Sequence, residues 1–217
     1  MRFSLVIPCF NEALNLPLLI DRCSIFADQP DVEVVFVDNG STDNSLEIFQ
    51  TELSADSNLR FVRVEENLGY GFGILAGLSA ASGDFLGWTH ADMQTDPCDF
   101  LSAKSEIERN TSCDIFVKGK RYGRPLSDQF FTIGMSVFET IFMSKMLSDI
   151  NAQPTVFSRN FFESWHNPPN DFSLDLYAYY EAKRQNISVK RFPVKFSERA
   201  FGSSHWNVNW SSKWKFI

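Results

Sequence analysis

Residues Gly83 to Pro97 read GDFLGWTHADMQTDP. A short apolar strand, Phe85 to Trp88, runs straight into a polar cluster of His90, Asp92, Gln94 and Asp96. Alternate residues of an extended chain project to the same side, so Asp92 and Gln94 are expected to point together. Oxygen-bearing side chains converging at a strand end can hold a hard divalent cation, with water or phosphate oxygens completing its shell. Pro97 favours a turn or a helix start and sets where the loop ends. A plainer reading of the same residues is a polar loop after a buried strand, with Asp96 capping the next helix. The segment alone leaves both open.

Upstream, the same alternation of apolar run and polar loop recurs. Phe3 to Ile7 reads as a buried parallel strand ending at Pro8, followed by the loop Cys9-Phe10-Asn11-Glu12. Asn15 and Pro17 then open a helix whose apolar positions are Leu16, Leu19, Ile20, Cys23 and Phe26. Val32 to Val37 is a second strand, with the loop Asp38 to Asp43 and a helix through Leu46, Ile48 and Phe49 behind it. Phe61 to Val64 is a third, followed by a glycine-rich loop from Glu66 to Gly73 and a small-residue helix, Ile74 to Ala81. This repetition predicts an α/β fold, a mostly parallel central sheet flanked by helices. Ligands of such sheets sit outside the carboxyl ends of the strands. The polar clusters at 10–12, 38–43, 66–73 and 90–94 all fall at those ends.

IPCFNE, VVFVDNGSTDNS, ENLGYGFGILAGL and the THADMQTDP loop, in this order, resemble the family 2 glycosyltransferases of the nucleotide-sugar-binding GT-A fold. The patterns there are P-x-x-N-E, V-D-D-G-S-x-D, N-x-G and D-A-D, and the match covers roughly residues 3 to 120. In the second half, VKGKR at 117–121, DINAQPTVFSR at 149–159 and FSERAFGSSHW at 196–206 look like segments of polyprenyl-phosphate sugar synthases. The resemblance implies a single domain over residues 1–217, with 1–120 binding the donor and 121–217 the acceptor. Pro8, Phe10 and Glu12 then line the base and ribose pocket, with Asn39, Gly69 and Ala91 alongside, and Asp38 accepts hydrogen bonds from the nucleobase. Asp92 and Gln94 hold a divalent cation, Mn²⁺ or Mg²⁺, that bridges the donor diphosphate. Arg121, Arg199 and Ser204 stand where that branch places phosphate-binding groups, and Asp175 takes the position of the general base of inverting members.

Departures from the pattern matter. His90 replaces the first aspartate of D-A-D, Asn39 the second of V-D-D, and His205 a lysine expected after G-x-S. A histidine can coordinate Mn²⁺, whereas Mg²⁺ strongly prefers oxygen. Alternatively His90 contacts ribose or phosphate. Two histidines facing one diphosphate are expected to make activity pH-sensitive between about 5 and 8.

The implied function is transfer of a sugar, with inversion, from a nucleotide-diphosphate donor to a polyprenyl phosphate or a cell-surface glycan. The segments at 149–159 and 196–206 tilt the choice toward the first. An altered D-A-D loop also admits a module that binds nucleotide sugars without turnover. A third reading comes from Gly71-Phe72-Gly73-Ile74-Leu75-Ala76, which fits the dinucleotide fingerprint of an NAD-dependent dehydrogenase. That fingerprint belongs after the first strand of its fold, and here it follows the third. The glycines are expected instead to let the backbone turn beside the ligand.

Lys118, Lys120, Arg121 and Arg124 form a basic run; such runs are usually solvated faces, yet a guanidinium here suits phosphate. Asp171 fits the N-cap of a helix carrying Asp175. Trp206, Trp210 and Trp214, flanked by Lys213 and Lys215, describe either a helix packed on the core or an interfacial helix on a membrane. The segment Phe130 to Leu147 could belong to the same surface.

A formal charge of −7 over 217 residues argues against general nucleic-acid binding and against simple adhesion to anionic lipid. Cys9, Cys23, Cys98 and Cys113 show no metal-binding spacing and read as free thiols of a reducing compartment. No apolar run reaches the roughly 18 residues of a membrane span. The expected location is therefore cytoplasmic, with peripheral contact at the inner face of the membrane through the three tryptophans.

Overall fold

A computed structural model describes residues 1–53, 57–110, 114–123 and 147–199. Seven strands form one sheet: β1 (Phe3–Cys9), β2 (Val32–Asn39), β3 (Leu59–Val64), β4 (Phe85–Trp88), β5 (Ile115–Tyr122), β6 (Thr155–Ser158) and β7 (Ser188–Lys195). Their order is β3-β2-β1-β4-β6-β5-β7, and β6 alone runs antiparallel to its neighbours. Helices α1 (Leu16–Cys23), α2 (Ser45–Glu52), α3 (Tyr70–Ala80), α4 (Asp99–Glu108), α5 (Arg159–Glu163) and α6 (Leu174–Arg184) flank it.

The two faces of the sheet follow from the alternation of side chains along each strand. Phe3, Leu5 and Ile7 of β1 and Val34 and Phe36 of β2 pack with Leu19, Phe49 and Phe100, from α1, α2 and α4. Val6, Val35 and Val37 point the other way, onto Ile74 and Leu78 of α3. Further along that second face, Trp88, Phe116, Phe157, Phe161, Trp165 and Tyr179 make a contiguous aromatic layer.

Strand positions agree with the sequence reading, and the boundaries shift informatively. β1 continues through Pro8 to Cys9. Its pairing with β4 stops at Val6, so the missing proline N–H interrupts no ladder on that side. β2 carries Asp38 and Asn39 inside the strand, as partners of Cys9 on β1 and of Arg63 and Val64 on β3. The basic run also lies within a strand, β5, and Lys118 there has no exposed surface. The solvated-face reading fails for that residue.

α3 starts at Tyr70, four residues earlier than its apolar pattern suggests, so Gly71 and Gly73 are helical. Their use is packing rather than a turn beside a ligand. A Cβ on Gly71 meets the backbone carbonyls of Pro169 and Asp171 at 2.6 and 2.7 Å, and one on Gly73 meets the Asn39 side chain at 2.8 Å. The Phe72 N–H donates to Asn170 O at 3.0 Å. The first turn of α3 is therefore covered by residues 169–171, where a dinucleotide-binding helix would present free N–H groups to a pyrophosphate. Gly71→Ala is expected to destabilise the fold by about 1–3 kcal/mol, because backbone cannot swing aside as a side-chain tip can. Urea denaturation measures it; a change within about 0.5 kcal/mol would show that the 169–171 segment gives way freely.

Candidate active site

The sheet reverses its winding between β1 and β4, and a crevice at the carboxyl edge belongs at that switch point. Because β6 is antiparallel and starts opposite Trp88 and Lys118, the segment leading into it reaches the same rim. Residues after β7 arrive there too: Ser197 N–H donates to Gln94 O at 2.8 Å.

On the β1–β2 side two loops are stitched together. Asn11 N–H donates to Ser41 Oγ at 3.0 Å, Glu12 N–H to Ser45 Oγ at 3.2 Å and Ala13 N–H to Asp43 Oδ2 at 3.1 Å. Asn11 adopts a φ of 55°, a left-handed turn that asparagine tolerates, and its side chain accepts the Thr42 N–H at 2.8 Å. Asp38 is fully buried below these loops. Its Oδ1 accepts the Ser41 N–H at 3.0 Å, while Oδ2 stands 3.3 Å from an Arg63 nitrogen and has no hydrogen-bond donor. Asn39, on the opposite face of β2, gives its amide to Gly69 O at 3.0 Å, and its Oδ1 is buried without a partner. Phe10 is exposed; Pro8 is half-buried and Ala91 buried.

The loop after β4 is not extended. Met93 sits at φ 58° and Asp92 Oδ1 accepts the Gln94 N–H at 3.2 Å, so the chain turns and the simple alternation argument fails. Its four polar residues go to four partners. His90 stacks on Tyr70 at 5.6 Å, and Tyr70 on Phe172 at 4.8 Å. Asp92 pairs with Arg199 at 2.9 Å. Gln94 meets Ser197. Asp96 accepts the Cys98 N–H at 2.9 Å and binds Arg22 through both carboxylate oxygens, which makes it a structural anchor at the approach to α4.

Asp92 is 8% exposed, and its charge, together with Asp43, adds to burial in pushing the Glu12 carboxyl above its ordinary range; Asn15 and Arg199 oppose this. Asp38, Glu12, Asp92 and Arg199 thus belong to one electrostatic neighbourhood at the rim; Glu12 and Asp38 both also act on Cys9. Such crowded negative charge suits a cation. Among the described residues no group of three or more His, Cys, Asp or Glu side chains gathers tightly enough to hold a metal alone. A site with one or two protein oxygens that relies on phosphate oxygens for the rest fits that arrangement, and it is the usual mode for Mg²⁺.

The second half of the chain holds what sequence reasoning missed. Asp175, in the first turn of α6, is 2% exposed. Gln153 Nε2 donates to its Oδ1 at 2.6 Å, and Lys118 Nζ lies 3.7 Å from the same oxygen while donating to Thr155 Oγ1 at 2.6 Å. Burial pushes Lys118 down from 10.5 to about 8, Asp175 opposing and Arg191 assisting. The cost of charging it is therefore present below about 8, and stability gains as pH rises from there toward 10.5, where the unfolded chain still binds the proton. Arg121 is taken by Asp149: its backbone N–H donates at 2.9 Å, its Nε at 2.7 Å and its terminal nitrogen at 2.5 Å, and Arg191 approaches the same carboxylate at 3.7 Å. Asp171 accepts the Ser173 N–H and hydroxyl instead of capping through a helical N–H. A buried lysine leaves no trace in a charge pattern, but a lysine between apolar Val117 and Gly119 in a strand is the available hint.

Ser204, His205, Trp206, Trp210, Trp214, Arg124 and Cys113 lie outside the described residues, as does nearly all of Phe130 to Leu147. Cys9 and Cys23 are buried and unbridged, and Cys98 is a partly exposed free thiol. No described helix is long and apolar enough to cross a membrane. Two surface hollows, one between α1 and the end of α2 and one between α4 and β7, lie on the flanks away from this rim.

The glycosyl transferase family 2 model matches residues 4–131, more than half the chain, and the protein belongs to that family. Its sheet and flanking helices are the GT-A fold. Among characterised relatives, the undecaprenyl-phosphate 4-deoxy-4-formamido-L-arabinose transferase of Yersinia enterocolitica is 37% identical over 100 residues, 44% of this chain and 30% of that protein. The same-named protein of Yersinia pestis is 36% identical over 101 residues, with the same coverage. The aligned stretch is thus less than a third of these relatives' length. Glucosyl-3-phosphoglycerate synthase from Mycobacterium tuberculosis, solved with UDP, superposes with a TM-score of 0.74 at 17% identity, covering 98% of this chain and 76% of that one. Its complex with Mn²⁺, UDP and glucosyl-3-phosphoglycerate gives 0.69 at 18% identity, covering 93% and 73%. At such identity the likeness is one of fold.

Proposed function

We propose that the chain transfers a sugar, with inversion, from a nucleotide-diphosphate donor to an acceptor oxygen at the carboxyl rim. Residues 1–120 bind the donor and residues 121–217 supply the acceptor side. The observation that carries the reading is the convergence of Asp38, Glu12, Asp92 and Arg199 on one rim of a glycosyl transferase family 2 sheet. Pro8, Phe10 and Glu12 line the base and ribose pocket, with Asn39 and Gly69 behind it and Ala91 at the diphosphate. The undonated Oδ2 of Asp38 is the acceptor for a nucleobase N–H. With His90 against Tyr70, Asp92 and Gln94 remain as the loop's oxygen donors to a divalent cation. Mn²⁺ or Mg²⁺ held there supplies positive charge to the departing diphosphate. Arg199, released from Asp92, and outside the described residues Ser204 and His205, bind phosphate oxygens; Arg121 does so only by sharing its fork with Asp149.

Asp175 is the general base that takes the acceptor's proton, and a base of this kind is useful when the acceptor is a sugar hydroxyl. The names of the Yersinia relatives favour a second reading, a polyprenyl phosphate, whose ionised oxygen needs no base. Either acceptor suits an enzyme at the cytoplasmic face of a membrane, and Trp206, Trp210 and Trp214 are the proposed contact.

Release of nucleoside diphosphate from a panel of UDP-, GDP- and TDP-sugars, with Mn²⁺ and with undecaprenyl phosphate or simple glycosides, tests the assignment. Binding of a donor with neither hydrolysis nor transfer would mark a non-catalytic module. Asp38→Ala is expected to weaken binding of the accepted nucleotide by about 10- to 100-fold, the worth of one hydrogen bond to a charged group. Calorimetric titration reads that change, and an unaltered affinity would remove Asp38 from the base pocket.

A further inference from the structure

Asp175 sits in a buried polar set, with Lys118, Thr155 and Gln153 wholly shielded from solvent. Lys118 reaches it from β5, Thr155 from the start of β6, Gln153 from the segment before β6 and Tyr70 from α3. The Tyr70 hydroxyl is buried and faces Asp175 and the indole N–H of Trp88, both of which act on it. Beyond Lys118 stand Arg191 on β7, Arg121 at the end of β5, and Asp149, which binds both arginines. The two arginines have a carboxylate of their own, and the nearest countercharge for Asp175 is Lys118.

A buried ion pair is a poor device for stability, since apolar residues of similar volume often serve as well or better. Two residues earlier on the same face of β5, Phe116 is ordinary core. A lysine at 118 is a costly choice on packing grounds alone. A carboxylate withdrawn from water also loses its charged form unless a cation or donor compensates.

We propose that Lys118 is a positioning residue for the transfer reaction: its ammonium, fixed by Thr155, supplies the countercharge that lets Asp175 act as a base inside the fold. The inference rests on the reading of Asp175 as the general base. In the step itself, the acceptor oxygen bonds to the anomeric carbon as the bond from that carbon to the diphosphate oxygen breaks. The electron pair leaves with the nucleoside diphosphate. The acceptor's proton passes to Asp175, and Lys118 neither gives nor takes one.

Two measurements on the full chain test this. The first is the ¹³Cε NMR titration of lysine-labelled protein, with the Lys118 signal identified by its loss in Lys118→Met. Its midpoint is expected near 8 and lower in Asp175→Asn, because removing the facing charge leaves burial, Arg191 and Arg121 lowering it against the smaller opposing pull of Asp149. The second is the pH dependence of transfer in Lys118→Met and, should that variant not fold, Lys118→Gln. Without the ammonium, the acid limb of the kcat profile moves to higher pH by about one to three units. The rate recovers toward alkaline pH, and KM for the donor is unchanged. A rate lowered equally at all pH values, or a Lys118 midpoint indifferent to Asp175→Asn, overturns the proposal. If neither variant folds, the Lys118 signal is taken as the lysine resonance titrating well below 10.5, and its response to Asp175→Asn decides the matter. Should Asp175→Asn keep the wild-type rate, the base reading falls and takes this inference with it. A dead Asp175→Asn beside a Lys118→Met of normal pH profile sinks the inference alone.

Discussion

Asp175→Asn is expected to lower kcat by about 10²- to 10⁴-fold, the usual worth of a positioned general base. The substitution is nearly isosteric, and the asparagine oxygen can still accept the Gln153 amide that now donates to Asp175 at 2.6 Å. What disappears is the negative charge facing Lys118 at 3.7 Å. The fold should therefore survive with some loss of stability, and binding of the donor should be unaffected, since the role proposed for Asp175 is toward the acceptor. Steady-state kinetics separate the cases: a fall in kcat at constant donor KM supports the hydroxyl acceptor. A rate within a few-fold of wild type would transfer the assignment to an acceptor that arrives already ionised, as a lipid phosphate does.

The second large effect belongs to Asp92. Asp92→Asn keeps an oxygen at the same place but removes the charge that draws a cation, and transfer is expected to fall by about 10²- to 10³-fold, the scale on which electrostatic stabilisers of a leaving group act. Some stability should be lost as well, because Asp92 is only 8% exposed and the substitution takes the countercharge from Arg199, but the asparagine fills the same space and the fold should hold. Measured turnover at saturating Mn²⁺, with a thermal melt in parallel, distinguishes a chemical role from a structural one. Loss of folding together with activity would argue that Asp92 holds the loop rather than the cation.

The sheet was legible because its strands are buried on both faces and therefore read as continuous apolar runs, Phe3–Ile7 and Val32–Val37 above all. Strand ends were less so. Asp38 and Asn39 look like loop residues, yet they still pair with β1 and β3, because a strand ends where its neighbours stop bonding rather than where polarity begins. The Tyr70 turn was hidden by its glycines, which in isolation disfavour helix; here Gly71 is required by the carbonyls of residues 169–171 and Gly73 by the Asn39 side chain. The same limit applies at the site. Family resemblance nominated Asp38, Asp92, Arg199 and Asp175 as candidates, but their partners come from distant parts of the chain: Arg63 for Asp38, Arg199 for Asp92, Lys118 and Gln153 for Asp175. No local pattern reports such pairings. Nor could it foresee that Arg121 is bound by Asp149, or that His90 turns to an aromatic stack with Tyr70 and Phe172.

The account stands on a nucleoside diphosphate and a cation meeting at the Asp92 loop. Thermal melts of the wild-type chain and of Asp92→Asn, against UDP, GDP, ADP, CDP and TDP with Mn²⁺ or with EDTA, test it most directly, since a ligand of the folded state raises the melting point. One nucleotide should stabilise the wild type, only with the cation present, and should fail to stabilise Asp92→Asn. A nucleotide that stabilises both proteins equally in EDTA, or none that stabilises either, would contradict it.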